Sequence, residues 1–198
     1  SDSSEILSVA WQRIYEQELL HLEEHKGTHL LGVFTHGPGQ LWFNRKYKDL
    51  EDIKGLKVRI GGGIAQSSAK ALSLVPLQAP VTKAYELLSG GVADGIQLPG
   101  ESISFFKLDR IIKQGFIFDG GLYNVSMFLV INKKKWNKLS EEDKIAINSV
   151  SGEFLAKMAG KAWDQADSKG IEASIKNGIL LKFLSENDKA KVKRLLNP

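Results

Sequence analysis

The residue type and placement with the clearest chemical consequence is Arg59, next to last in the apolar stretch Leu56-Lys57-Val58-Arg59-Ile60, which is followed at once by Gly61-Gly62-Gly63. The pattern predicts a turn, a short buried strand, and a helix over 64–74 opened by the glycines. The first N–H groups of such a helix have no intrahelical partner and favour an anion. A fixed guanidinium beside them adds two parallel N–H donors that match a carboxylate. The ordinary fate of an arginine is a surface ion pair. Two features of Arg59 argue for a ligand instead: it ends an apolar strand at the carboxyl end, where open α/β sheets place their ligands, and the glycines let a small molecule approach the backbone closely. Carboxylate and phosphate both fit this description.

Other chemistries find less support. His21 and His25 stand one helical turn apart, a spacing that binds zinc, but no third ligand stands out nearby. No Gly-x-Ser-x-Gly elbow is present, and there is no cysteine, which excludes disulfides and thiol catalysis. The glycine run is not the dinucleotide fingerprint, because position 66 is Gln, and no Gly-Lys-Ser/Thr phosphate loop exists. Adjacent acids such as Glu23-Glu24 and Glu141-Glu142 read as surface charge. No catalytic assembly is visible.

The 198 residues carry 27 Lys+Arg against 23 Asp+Glu, a net charge of +4 spread along the chain rather than gathered into a nucleic-acid footprint. No apolar run is long enough to span a bilayer. The start, Ser1-Asp2-Ser3-Ser4-Glu5, reads as a processed or truncated terminus.

An amphipathic helix is expected over 5–26, its apolar face formed by Leu7, Trp11, Ile14, Tyr15, Leu19 and Leu22. A strand follows over 28–35, a loop over His36-Gly37-Pro38-Gly39-Gln40, and an extended piece over 41–43. From 56 to 98, strand, helix, strand, helix and strand alternate, which argues for parallel βαβ units. The strand at 75–80 is bracketed by prolines and belongs at an edge, and Thr82 is placed to cap the next helix. A helix over 101–107 and strands over 111–118 and 125–131 come next. Ser140 caps one long helix whose period runs towards Ile175, and a strand over 179–184 and a helix capped by Ser185 end the chain.

Four ordered blocks together resemble the solute-binding proteins of TRAP transporters, the dicarboxylate-binding (DctP) type. They are 50–59 (Leu-Glu-Asp-Ile-Lys-Gly-Leu-Lys-Val-Arg), 84–95 (Ala-Tyr-Glu-Leu-Leu-Ser-Gly-Gly-Val-Ala-Asp-Gly), 121–132 (Gly-Leu-Tyr-Asn-Val-Ser-Met-Phe-Leu-Val-Ile-Asn) and 136–143 (Trp-Asn-Lys-Leu-Ser-Glu-Glu-Asp). The resemblance implies a non-enzymatic, periplasmic protein without a cofactor, which captures an organic acid and delivers it to a membrane permease driven by an ion gradient. It implies a periplasmic-binding-protein-like α/β fold of two domains joined by hinge strands, closing over the ligand, with a long spine helix. On that pattern residues 1–35 are the remnant of an N-terminal α/β domain. Residues 36–118 form mainly the second domain with hinge strands, and 119–198 the return strand, spine helix and C-terminal strand–helix.

Arg59 matches the arginine that pairs with the ligand carboxylate. Gln97, Gln40, Trp42, Tyr123 and Gly61 are the further ligand-binding positions the pattern suggests. Leu98 stands where relatives often carry an asparagine, and 36–40 offers no arginine for a second carboxylate, which favours a monocarboxylate with an apolar or hydroxylated body. Glu101 lies near a position where some relatives hold a metal beside the ligand, and one acid is not a metal site. The family's first strand–helix units are expected to be missing, leaving an apolar edge that a homodimer partner would cover. The alternatives are a nucleotide- or phosphate-using enzyme built on Gly61–Gly63 and a degenerate fragment without transport activity.

Overall fold

The structure, a computed structural model, describes residues 3–196. The chain divides into two compact units, one comprising 3–37 and 124–165, the other 38–123 and 166–196.

The first unit is built on strand β1 (Thr28–Thr35), paired antiparallel with β7 (Ser126–Asn132) in a two-stranded sheet. Helix α1 (Ser4–Ile14) packs on β1. Its buried residues are Ser4, Ser8 and Gln12, a polar stripe at a four-residue spacing, whereas Ile14 is exposed. This corrects the apolar face read from the sequence, although Tyr15 is buried as expected. The reason is the open edge of β1. In an antiparallel pair alternate N–H groups point away from the partner strand. Val33 N–H donates to Gln12 Oε1 at 2.7 Å and Thr35 N–H to Ser8 Oγ at 3.0 Å, so α1 completes the backbone hydrogen bonding that a third strand would otherwise supply. The helix is also shorter than expected. It passes into a π-helical turn over Tyr15–Leu19 and a 3-10 turn over Leu20–Leu22, and stops where Glu23 adopts φ +50°.

The short helix α5 (Lys133–Trp136) follows β7, and the single long helix expected from Ser140 is two helices, α6 (Glu141–Ser149) and α7 (Glu153–Lys176). Ser140 caps the first as predicted, its Oγ accepting from Asp143 N–H at 3.1 Å. The break falls at Gly152, at φ +59°, whose N–H donates to Leu31 O on β1 at 2.6 Å. The bulge of β1 between Leu30 and Gly32 brings that carbonyl outward. Further along, α7 approaches the start of α1 closely. Asp164 accepts Ser4 N–H at 2.6 Å and Glu5 N–H at 3.2 Å. A Cβ added to Gly160 would lie 2.5 Å from Glu5 Cα and from Ser4 O. Gly160→Ala is therefore expected to destabilise the protein by roughly 1–3 kcal/mol through overpacking. Denaturant unfolding measures this, and an unchanged midpoint would contradict the close approach.

The second unit carries a six-stranded sheet of β2 (Gln40–Phe43), β3 (Lys57–Ile60), β4 (Val75–Gln78), β5 (Gly95–Leu98), β6 (Gln114–Ile117) and β8 (Leu180–Phe183). Their order across the sheet is β4-β3-β5-β2-β6-β8. β3 pairs parallel with both β4 and β5, as the alternation of strands and helices predicts, and β4 lies at the edge. β2 runs antiparallel to its neighbours β5 and β6, and β8 pairs parallel with β6.

Pleating sends alternate side chains to opposite faces. Val58, Ile60, Leu41 and Phe43 join one core with Ala65 and Ala69 of α2 (Ile64–Ala71). Ile96, Leu98 and Trp42 join the other with Ala84 and Leu88 of α3 (Ala84–Ser89). Thr82 does not cap α3. It lies inside a 3-10 turn, Val81–Lys83, and the preceding residue, Lys83, makes no side-chain cap bond. Helix α4 (Gly100–Phe105) follows β5 after Pro99. Within this unit α7 repeats the device it uses against α1: Asp167 Oδ1 accepts Glu101 N–H at 3.2 Å, and a Cβ on Gly170 would lie 2.4 Å from Glu101 Cα. The terminal helix α8 (Glu186–Leu196) is capped by Ser185, whose Oγ accepts Asp188 N–H at 3.2 Å.

Candidate functional site

Arg59 sits in β3, one residue from its carboxyl end, on the face opposite Val58 and Ile60, and is only 4% exposed. Its Nε and Nη2 donate to Ala79 O at 2.9 and 2.6 Å. That carbonyl fixes the plane of the guanidinium but supplies no negative charge. Among the described residues no carboxylate pairs with it. Burial draws its pKa down from the ordinary arginine value, yet an arginine stays charged in a protein. A buried cation without a counter-ion is costly, and a ligand carboxylate relieves that cost. Gly61 follows, and a Cβ placed on it would come within 4.0 Å of Arg59 Nη2. Gly62 and Gly63 take φ +114° and +55°, a backbone that side chains beyond glycine adopt only under strain.

Tyr123 comes to the same place. Its hydroxyl donates to Gln97 O at 3.2 Å, and Arg59 acts on it electrostatically. Burial raises the phenol well above its ordinary pKa, so it remains neutral. The ring lies over Gly39, where an added Cβ would fall 2.1 Å from Tyr123 Cε1. Gly39 N–H donates to Tyr123 O at 2.9 Å, and Leu122 N–H to Gly39 O at 2.8 Å. The glycine-rich turn after β1 thus holds the tyrosine.

The remaining positions singled out from the sequence lie in the same unit with their polar atoms engaged by the fold. Gln97 adds its backbone carbonyl to the Tyr123 hydroxyl, while its side chain points to the α2 face and donates to Ser68 Oγ at 3.3 Å. Gln40 pairs with Leu98 across β2 and β5, at the strand end nearest the site, and its amide is tied at both ends to the Phe118 backbone. Trp42 lies deeper in the sheet, fully buried, with Nε1 donating to Leu98 O at 2.8 Å.

Glu101, in the first turn of α4, is the residue the sequence reading left out of the binding set. Its Oε1 accepts from Ser102 Oγ at 2.7 Å, and its Oε2 is buried with no hydrogen-bond partner among the described residues. Burial, with Asp167 adding negative charge nearby, pushes its carboxyl up to about 7. Glu101 and Arg59 each act electrostatically on Tyr123, and the parallel pairing of β3 with β5 brings Arg59 and the start of α4 to the same end of the sheet. No group of three histidines, cysteines, aspartates or glutamates fit to hold a metal exists among the described residues.

Parallel strand ends, a glycine turn and a buried, unpaired guanidinium define the class: an α/β protein that presents a fixed cation at the carboxyl edge of its sheet. The chain belongs to the DctP family, bacterial extracellular solute-binding protein family 7, whose model matches residues 2–198. A TRAP periplasmic solute-binding protein from Bordetella bronchiseptica, solved with (R)- and (S)-mandelate bound, is similar over 98% of this chain and 62% of its own, at 39% identity and a TM-score of 0.92. A marine-metagenome TRAP solute-binding protein specific for aromatic acids, solved with metahydroxyphenylacetate, is 28% identical with a TM-score of 0.90, over 99% of this chain and 62% of that one. The outer membrane transporter protein TsaT of Comamonas testosteroni is 30% identical over 186 residues, 89% of this chain and 55% of the relative.

The periplasmic-binding-protein-like α/β fold expected from the sequence is therefore the one these relatives have, and the family is one of solute-binding proteins rather than enzymes. The chain spans little more than half the length of the curated relatives it matches. Among the described residues no helix is long and apolar enough to cross a membrane.

Proposed function

We propose that this chain forms part of a periplasmic TRAP solute-binding protein that captures an aromatic or hydroxylated monocarboxylate on Arg59 and delivers it to the membrane permease. The observation that carries the reading is the buried guanidinium of Arg59, oriented by Ala79 O and paired with no carboxylate among the described residues. Two similar proteins whose solved structures hold mandelate and metahydroxyphenylacetate supply the ligand class. The neutral, half-buried Tyr123 beside Arg59 suits a ligand with an apolar body better than one with a second charge.

Titration calorimetry of the full-length protein with mandelate, benzoate, succinate and a dinucleotide is the test. The monocarboxylates are expected to bind at least about tenfold more tightly than the dicarboxylate, since a second charge buried without a partner costs more than that. Succinate as the tightest ligand would overturn the ligand class. Preference for a dinucleotide would overturn the function.

A further inference from the structure

Resting on that reading, we propose that Glu101 is a second ligand-contacting group, a neutral carboxylic acid whose Oε2–H donates to the carboxylate that Arg59 holds, so that capture of the acid is coupled to a proton. Three observations support it. The first is the pairing of Glu101 itself: Ser102 Oγ donates to Oε1 at 2.7 Å, whereas Oε2 is buried and unpartnered among the described residues. A buried acid with one oxygen already accepting carries its proton on the other, and an unmade donor of that kind costs free energy until something accepts from it. The second is position. Glu101 and Arg59 both act on the Tyr123 hydroxyl, and β3 and β5 pair in parallel, which brings Ile60-Gly61 and Pro99-Gly100-Glu101 out at the same edge of the sheet. The third is the wall behind it. Gly170 lets α7 close on the Glu101 backbone, and Asp167 accepts Glu101 N–H, so a negative charge stands near the carboxyl.

The groups facing Glu101 set the direction of the effect. Asp167 on α7 and burial itself favour the neutral acid. The Ser102 hydroxyl, a larger influence than Asp167, and the backbone N–H groups of Ser102 and Glu101 favour the ionised form, and Tyr123 is neutral. Arg59 is the cation at the site. A ligand carboxylate neutralises Arg59 and adds a negative charge beside Glu101, so the complex holds the Glu101 proton more firmly than the free protein does. The free carboxyl titrates at about 7. Binding therefore takes up a proton above that pH, and affinity falls as pH rises through and beyond it. Below it the proton is already in place and the affinity is flat.

The experiment is the dissociation constant of phenylacetate and of mandelate for the full-length protein from pH 5 to pH 9, for wild type, Glu101→Gln and Asp167→Asn. Wild type is expected to lose roughly tenfold in affinity per pH unit above about 7, for both ligands alike. Glu101→Gln, which keeps a donor that cannot ionise, is expected to bind with no such slope. Asp167→Asn removes the neighbouring charge, so its break point moves to lower pH, which keeps the test open should Glu101→Gln fold poorly. Loss of affinity at high pH for mandelate alone would mean that Glu101 reads a hydroxyl, and would overturn the proposal. A flat wild-type profile, or an unchanged slope in Glu101→Gln, would also overturn it. Failure of any aromatic acid to bind at any pH is a different result, and removes the proposed function itself.

Discussion

Arg59→Ala is expected to weaken binding of an aromatic carboxylate by roughly 30- to 4,000-fold, the equivalent of the about 2–5 kcal/mol lost when one member of a buried hydrogen-bonded charge pair is removed. Nε and Nη2 are held on Ala79 O, so the guanidinium is oriented before ligand arrives and little ordering cost remains to be met on binding. The fold should survive the change, because Arg59 makes no ion pair with an acid among the described residues. The expected penalty is the loss of donors to Ala79 O, about 1–3 kcal/mol. Arg59→Lys is also expected to bind poorly, since an ammonium cannot reproduce a planar pair of donors. Calorimetry gives the affinity, and thermal unfolding confirms that the variant is folded. Near-wild-type affinity in a folded Arg59→Ala protein would move the ligand elsewhere.

The second large effect is on stability. Trp42→Ala is expected to destabilise the protein by about 3–5 kcal/mol, the range for truncating a large buried aromatic side chain. The indole is fully buried, its Nε1 bonds Leu98 O, and it lies against Gly115, where an added Cβ would come within 2.6 Å of the ring. Removal leaves a cavity between β2 and its neighbours and deprives the Leu98 carbonyl of its side-chain donor. Denaturant unfolding measures the loss. A variant as stable as wild type but unable to bind ligand would instead restore Trp42 to the contact role the sequence suggests.

Residues 56 to 98 were the most legible part of the fold, because a parallel sheet buries both faces of its strands and the alternation with helices survives in the hydrophobic pattern. The prolines around β4 likewise marked an edge strand, since a proline cannot donate to a ladder. Helix α1 departs from the apolar face its sequence suggests for a physical reason: its buried stripe is polar, and Ser8 and Gln12 face inward to bond an open strand edge, which hydrophobic periodicity does not register. The α6–α7 break was signalled by Gly152 after Val150 and Ser151, but the apolar period runs through it, and what fixes it is the Leu31 carbonyl more than a hundred residues earlier.

The site divides in the same way. Arg59 was legible from its strand end and the glycines behind it. Gln40 and Gln97 carry polar side chains near the right edge of the sheet, but nothing local reveals that Phe118 and Ser68 already bond them. Glu101 reads locally as an ordinary acid in a helix's first turn, where the dipole favours one. Its surroundings include a distant helix, whose Gly170 comes against the Glu101 backbone.

Thermal unfolding of the full-length protein with mandelate, benzoate, inorganic phosphate and a dinucleotide, in wild type and Arg59→Ala, tests the central claim most directly. A ligand that binds only the native state stabilises it by about 2.7 kcal/mol at a concentration 100 times its dissociation constant. The account predicts that the aromatic acids raise the wild-type midpoint, that phosphate and dinucleotide do not, and that Arg59→Ala shows no rise with any of them. A midpoint unmoved by every organic acid, or raised equally in Arg59→Ala, would contradict it.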